Sequence, residues 1–141
     1  MTGPPARLTA NDFFLGLFSA LKLRGQEAFS IRADRFDAAI KEIYDRLESS
    51  SEAEHLDLRF RVRPHSVYGD SQTVRKALTA AAQRRIISFD NPEYLDIRIQ
   101  LDQSDAERKL KRLPVRAELF EELADEFLET YRERREPVIN G

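Results

Sequence analysis

Apolar residues recur at the spacing of a helical turn in several separate stretches of the chain. Phe14, Leu17, Phe18 and Leu21 predict a helix over 10–23, with Thr9 and Asp12 as a carboxylate variant of the capping box and Gly25 as its stop. Phe36, Ile40, Ile43 and Leu47 predict a second over 34–48. Val74, Ala77, Leu78 and Ala81 predict a third over 72–84, with Ser71 placed to cap it. Ser104 and Glu107 read as a capping box for a short helix carrying Leu110 and Leu113. Leu119, Phe120, Leu123, Phe127 and Tyr131 stripe a last helix over 115–134, with Pro114 near its first turn.

Between these stretches the period drops to two. Leu56, Leu58, Phe60 and Val62 alternate with Asp57, Arg59, Arg61 and Arg63, and Leu95, Ile97, Ile99 and Leu101 alternate with Tyr94, Asp96, Arg98 and Gln100. Ile86–Phe89 and the strand at 94–101 flank the turn Asp90-Asn91-Pro92-Glu93, which predicts a hairpin. Phe29-Ser30-Ile31 is a short extended candidate, and 49–54 is a polar surface linker. The order predicts an α+β fold: a winged-helix-like domain in which strand 56–63 joins the hairpin 86–101 in a small antiparallel three-stranded sheet, with additional N- and C-terminal helices. One domain over 9–135 is expected, with a flexible arm at 1–8 and a flexible tail at 136–141.

Composition narrows the chemistry. With no cysteine in 141 residues, disulfide scaffolds, thiol enzymes and Cys-based zinc sites are excluded. The longest apolar stretch, Phe13 to Leu23, is about half of the ~20 residues a bilayer crossing needs, so no membrane partner is expected. The first residues lack the order of a secretory signal, which points to the cytoplasm. The net charge of −2 hides an uneven distribution, −2 over 1–56, +4 over 57–112 and −4 over 113–141.

The basic middle draws attention to helix 72–84. Gln72, Arg75, Lys76, Thr79 and Gln83 share the face opposite Val74, Leu78 and Ala81, and no carboxylate interrupts it. Arginine and lysine reach guanine acceptors or phosphates, glutamine pairs with adenine, and threonine meets a base edge or a thymine methyl. The helix start at Ser71 to Thr73 offers backbone N–H groups to a phosphate. Thr73-Val74-Arg75-Lys76-Ala77-Leu78, followed by Ile86-Ile87, resembles the recognition helix and following strand of GntR-type winged-helix transcription regulators, over about 15 residues. That resemblance implies DNA contacts at Thr73 and Arg75. Arg85 stands where that family ends its helix with glycine.

The expected function is therefore regulatory binding of double-stranded DNA in a helix-turn-helix manner. Gln72, Lys76, Thr79 and Gln83 would face bases, and Arg75, Arg84, Arg85 and the Ser71 helix start would hold phosphates. The competing reading is an ordinary solvated helix face. Arg59, Arg61 and Arg63, joined by Arg98 if their strands pair, form a secondary basic patch, against which stands a sheet face neutralised by Asp57 and Asp96.

The terminal helices carry much apolar surface, through Phe13, Phe14, Phe18 and the last helix. Either it completes the core, or it makes a homodimer or docks a partner protein, as an interaction or scaffold subunit with no DNA contact would require. The acidic run Glu118, Glu121, Glu122, Asp125, Glu126, Glu129 reads as the wet side of that helix, so no metal is expected. His65, Ser66 and Asp70 lack a nucleophile elbow, Glu93 and Asp96 lack the lysine of a nuclease site, and the glycines at 3, 16, 25, 69 and 141 form no phosphate loop. No catalytic residue, cofactor or enzymatic activity is expected.

Overall fold

The computed structural model describes residues 4–30, 35–60, 62, 72–89 and 96–133. Its first helix, α1 (Ala10–Leu23), starts where the capping box requires: Asp12 N–H donates to Thr9 Oγ1 at 3.1 Å and Thr9 N–H to Asp12 Oδ2 at 3.2 Å. Phe13, Phe14, Leu17, Phe18, Ala20 and Leu21 are all buried, so α1 is apolar on most sides and forms the centre of the molecule. The helices α3 (Gln72–Gln83), α4 (Gln103–Arg112) and α5 (Ala117–Glu133) pack around it, while α2 (Arg35–Ser50) packs on α5. Gly16 lets α5 approach α1 closely, because a Cβ there would lie 2.6 Å from the Phe120 ring.

The structure is α+β, as the periodicity requires, and four of its helices match the predicted spans closely. The fifth, α4, begins earlier than Ser104: Asp102 is its cap, accepting from Asp105 N–H at 2.7 Å.

Strand pairing departs from expectation. The short strand β2 (Ala28–Ser30) supplies the third strand of the antiparallel sheet, in the order β2, β5 (Asp96–Ile99), β4 (Ile87–Phe89). Ala28 and Ser88 both pair with Arg98, and Phe29 and Phe89 both pair with Ile97. Of strand 56–63, expected in that place, the described residues have Leu56–Leu58 as β3, which pairs in parallel with β1 (Ala6–Leu8) in a separate two-stranded sheet. The arm expected at 1–8 is thus structured from Ala6 onwards. Leu8 is fully buried, Ala6 N–H donates to His55 O at 3.0 Å, and Arg59 N–H donates to Leu8 O at 2.9 Å.

The physical reason for the exchange is Phe29. Its ring lies 6.0 Å from Phe18, 5.6 Å from Phe36 and 5.8 Å from Phe127, joining α1, α2 and α5 in one aromatic cluster. Strand β2 must lie over that cluster, and β5 then pairs with it.

The side chains weighed for a dimer or partner surface are used inside the monomer. Phe13, Phe14, Phe18, Phe120 and Phe127 are all buried, so the terminal helices complete the core. Among the described residues, no helix is long and apolar enough to cross a membrane.

Candidate nucleic-acid interface

Val74, Ala77, Leu78 and Ala81 are buried against α1 and β4, which turns the opposite side of α3 outward. Lys76, Thr79 and Gln83 are exposed there, one to two turns apart. Arg75 is half-buried on the flank. The Thr79 hydroxyl donates to the Arg75 carbonyl at 3.0 Å, so its donor is committed to the helix and it meets a ligand as an acceptor or through its methyl. The backbone of Gln72 and Thr73 forms the first turn of α3. Ser71 lies outside the described residues.

Arg84 and Arg85 follow the last turn and are both exposed. Cations suit a helix C-terminus, where the backbone carbonyls carry partial negative charge. Arg85 N–H donates to Ala82 O at 3.0 Å and Ile86 N–H to Ala81 O at 2.9 Å, the paired bonds of a Schellman ending. That ending places Arg85 at φ 62°, in the left-handed region that favours glycine.

The stretch 72–89 carries four cations and no carboxylate. Among the described residues, no carboxylate pairs with Lys76, Arg84 or Arg85, in contrast to Arg24, Arg46 and Arg116. Arg24 holds Asp125 at 2.8 Å and Glu121 at 3.8 Å, Arg46 holds Glu126 at 2.5 Å and Glu122 at 3.4 Å, and Arg116 holds Glu54 at 2.7 Å and Glu122 at 3.3 Å. Four carboxylates of the acidic run are therefore engaged in fastening α5 to its neighbours, a use its reading as a merely wet face missed. The Arg116 guanidinium holds the Glu54 carboxyl below its ordinary range, and Lys22 does the same for Glu27.

The secondary patch does not assemble as one row. Arg59 is exposed beside β3 and lies 3.2 Å from Asp57, while Arg98 sits on the central strand of the other sheet. Arg61 and Arg63 lie outside the described residues, as do His65, Ser66, Asp70, Glu93 and the turn at 90–93. Among the described residues, no three His, Asp or Glu side chains gather as a metal-binding group.

A groove of about 500 Å³ that the sequence did not foretell runs along the flank of α3, lined by Arg75, Leu78, Thr79, Ala82, Gln83 and Phe89. It joins two elements, α3 and β4, whose proximity only the folded chain defines. No family model, curated protein or solved structure matches the chain, so the use of this surface has to be read from its own residues.

Proposed function

We propose that the chain is a DNA-binding protein, regulatory in role and winged-helix-like in build, with α3 as its reading helix. The observation that carries this reading is the carboxylate-free face of α3 and its C-terminal extension, where Lys76, Arg84 and Arg85 stand exposed without an acidic partner among the described residues. Phosphate contacts from such cations supply most non-specific affinity for nucleic acid. Thr79 and Gln83, on the same face, have the hydrogen-bonding groups for base edges.

The topology supports the same reading. In chain order α1, β2, α2, β3, α3, β4, β5, the strands β4 and β5 follow α3 and β2 pairs with β5, a small antiparallel sheet of the kind a winged helix carries, while β3 between α2 and α3 pairs with β1 in a sheet of its own. The sequence 90–93 between β4 and β5 brings two carboxylates and no cation, so the grip on phosphates is assigned to α3 and its end. For the alternative, an interaction subunit docking through its terminal helices, Phe13, Phe14 and Phe18 are buried and offer no exposed aromatic face.

Fluorescence anisotropy with a random-sequence duplex over a salt series tests the proposal. The double variant Lys76→Ala/Arg84→Ala should bind more weakly, with a log–log salt slope shallower by about 0.9 for each phosphate contact removed. An isotherm identical to the wild type, or no retention of the wild type at low salt, would overturn it.

A further inference from the structure

A second group of cations is left over by the fold, at the end of α4. There the chain reads Arg108-Lys109-Leu110-Lys111-Arg112, four cations and no carboxylate. Ala106 and Leu110 are buried, and Arg108, Lys111 and Arg112, at i, i+3 and i+4, lie on the opposite, exposed side of the helix, with Lys109 half-buried on the flank. Arg108 pairs with Asp105. Among the described residues, neither Lys111 nor Arg112 has a carboxylate or a carbonyl as partner. Glu107, one turn before Lys111, forms no ion pair with it, and the Leu110 carbonyl is taken by the Leu113 N–H at 3.3 Å. Cations are favoured in a last helical turn, and two exposed ones side by side with no acid to neutralise them also attract a polyanion.

This group stands apart from the one on α3. Both helices pack on α1 and make at most marginal contact with each other, so each turns its polar side away from the shared helix. Gln100 N–H donates to Ile86 O at 2.8 Å, which ties the start of α4 to the end of α3. From that point α4 carries its basic end about 15 Å onward, the length of ten helical residues. Asp102, Asp105 and Glu107 lie between the two groups along the chain, so a phosphate backbone running from one to the other would meet carboxylates.

A second copy of the chain is a poor occupant for this end of α4. Its acidic run on α5 is already engaged, Glu121 and Asp125 by Arg24, Glu122 and Glu126 by Arg46. A DNA backbone brings charge that only mobile counterions neutralise. We infer that the end of α4 is a second DNA-backbone surface, so that one protein molecule holds two duplexes at once, one on α3 and one on α4. The inference rests on the DNA-binding reading and adds to it a bridging role.

The test immobilises a duplex, adds a limiting amount of protein at low salt, and reads capture of a second, labelled duplex, with single-duplex anisotropy measured alongside. The wild type should capture the second duplex. Lys111→Gln/Arg112→Gln keeps good helix formers at exposed positions. It should cut capture by about tenfold or more, as two lost phosphate contacts predict, while single-duplex affinity falls by no more than about twofold, one of two equal sites being gone. Capture that survives the double variant would overturn the inference and assign bridging to protein molecules joined to each other. A single-duplex affinity that falls in step with capture would merge the two surfaces into one footprint and overturn it as well. No capture by a wild type that binds the single duplex would leave α3 as the DNA surface and the inference overturned. Failure of the wild type to bind even the single duplex would overturn the DNA reading itself.

Discussion

Arg85 at the end of α3 occupies the backbone position that Gly25 occupies at the end of α1. Both helices close with the same pair of bonds, Gly25 N–H to Lys22 O at 3.0 Å with Gln26 N–H to Leu21 O at 2.9 Å in one, and Arg85 to Ala82 with Ile86 to Ala81 in the other. The residue at the turning point has φ 84° in the first case and 62° in the second. Glycine takes this conformation freely, whereas a residue with a Cβ is strained there by about 1–2 kcal/mol. Nothing lies within 4 Å of a Cβ built on Gly25, so the backbone alone decides what a substitution there does.

This contrast separates stability from binding. Arg85→Gly should raise the free energy of unfolding in urea by about 0.5–1 kcal/mol, and should weaken DNA binding because an exposed cation is lost. Gly25→Ala should lower stability by about 1 kcal/mol and leave binding unchanged. A stabilised Arg85→Gly protein with undiminished affinity would show that strain at this site serves no contact.

The close approach of α1 and α5 gives a second expectation. Gly16→Ala places a methyl group 2.6–2.7 Å from three atoms of the Phe120 ring, which is fully buried and has little room to yield. Overpacking of this kind costs about 1–3 kcal/mol. Phe120→Leu in the same chain should recover part of that loss, and a thermal-melt double-mutant cycle measures the coupling between the two positions. Purely additive effects would place the strain elsewhere.

Such contacts explain which parts of the fold were legible in the sequence. Helices α1, α2, α3 and α5 write themselves in the spacing of Phe14 to Leu21, Phe36 to Leu47, Val74 to Ala81 and Leu119 to Tyr131, because one buried face recurs every turn. Strands of three or four residues hold too few positions to show a period. Partner choice is decided by contacts far apart in sequence: Phe29 against Phe36 and Phe127 draws β2 to the sheet, and Leu8 seats β1 beside β3. The outward face of α3 was legible for the same reason as its buried one. The groove at Phe89 was not, since its two walls belong to different elements.

The ion pair between Arg116 and Glu54 yields an expectation in pH. The Glu54 carboxyl titrates below its ordinary value when folded, chiefly because Arg116 donates to it, and at about 4.3 when the chain is unfolded. Its contribution to stability is therefore complete at neutral pH and is lost as the pH falls from the unfolded value through the lower folded one. Glu54→Gln should lower the urea midpoint at pH 7 modestly, as befits a pair near the surface, and should flatten the decline of the midpoint below about pH 5. Arg116→Ala should reproduce that flattening, since it removes the donor that depresses the carboxyl, although no titrating group has been changed. Retention of the full acid dependence in both variants would place its source outside this pair, and Glu27, which Lys22 also holds low, would be the next carboxyl to replace.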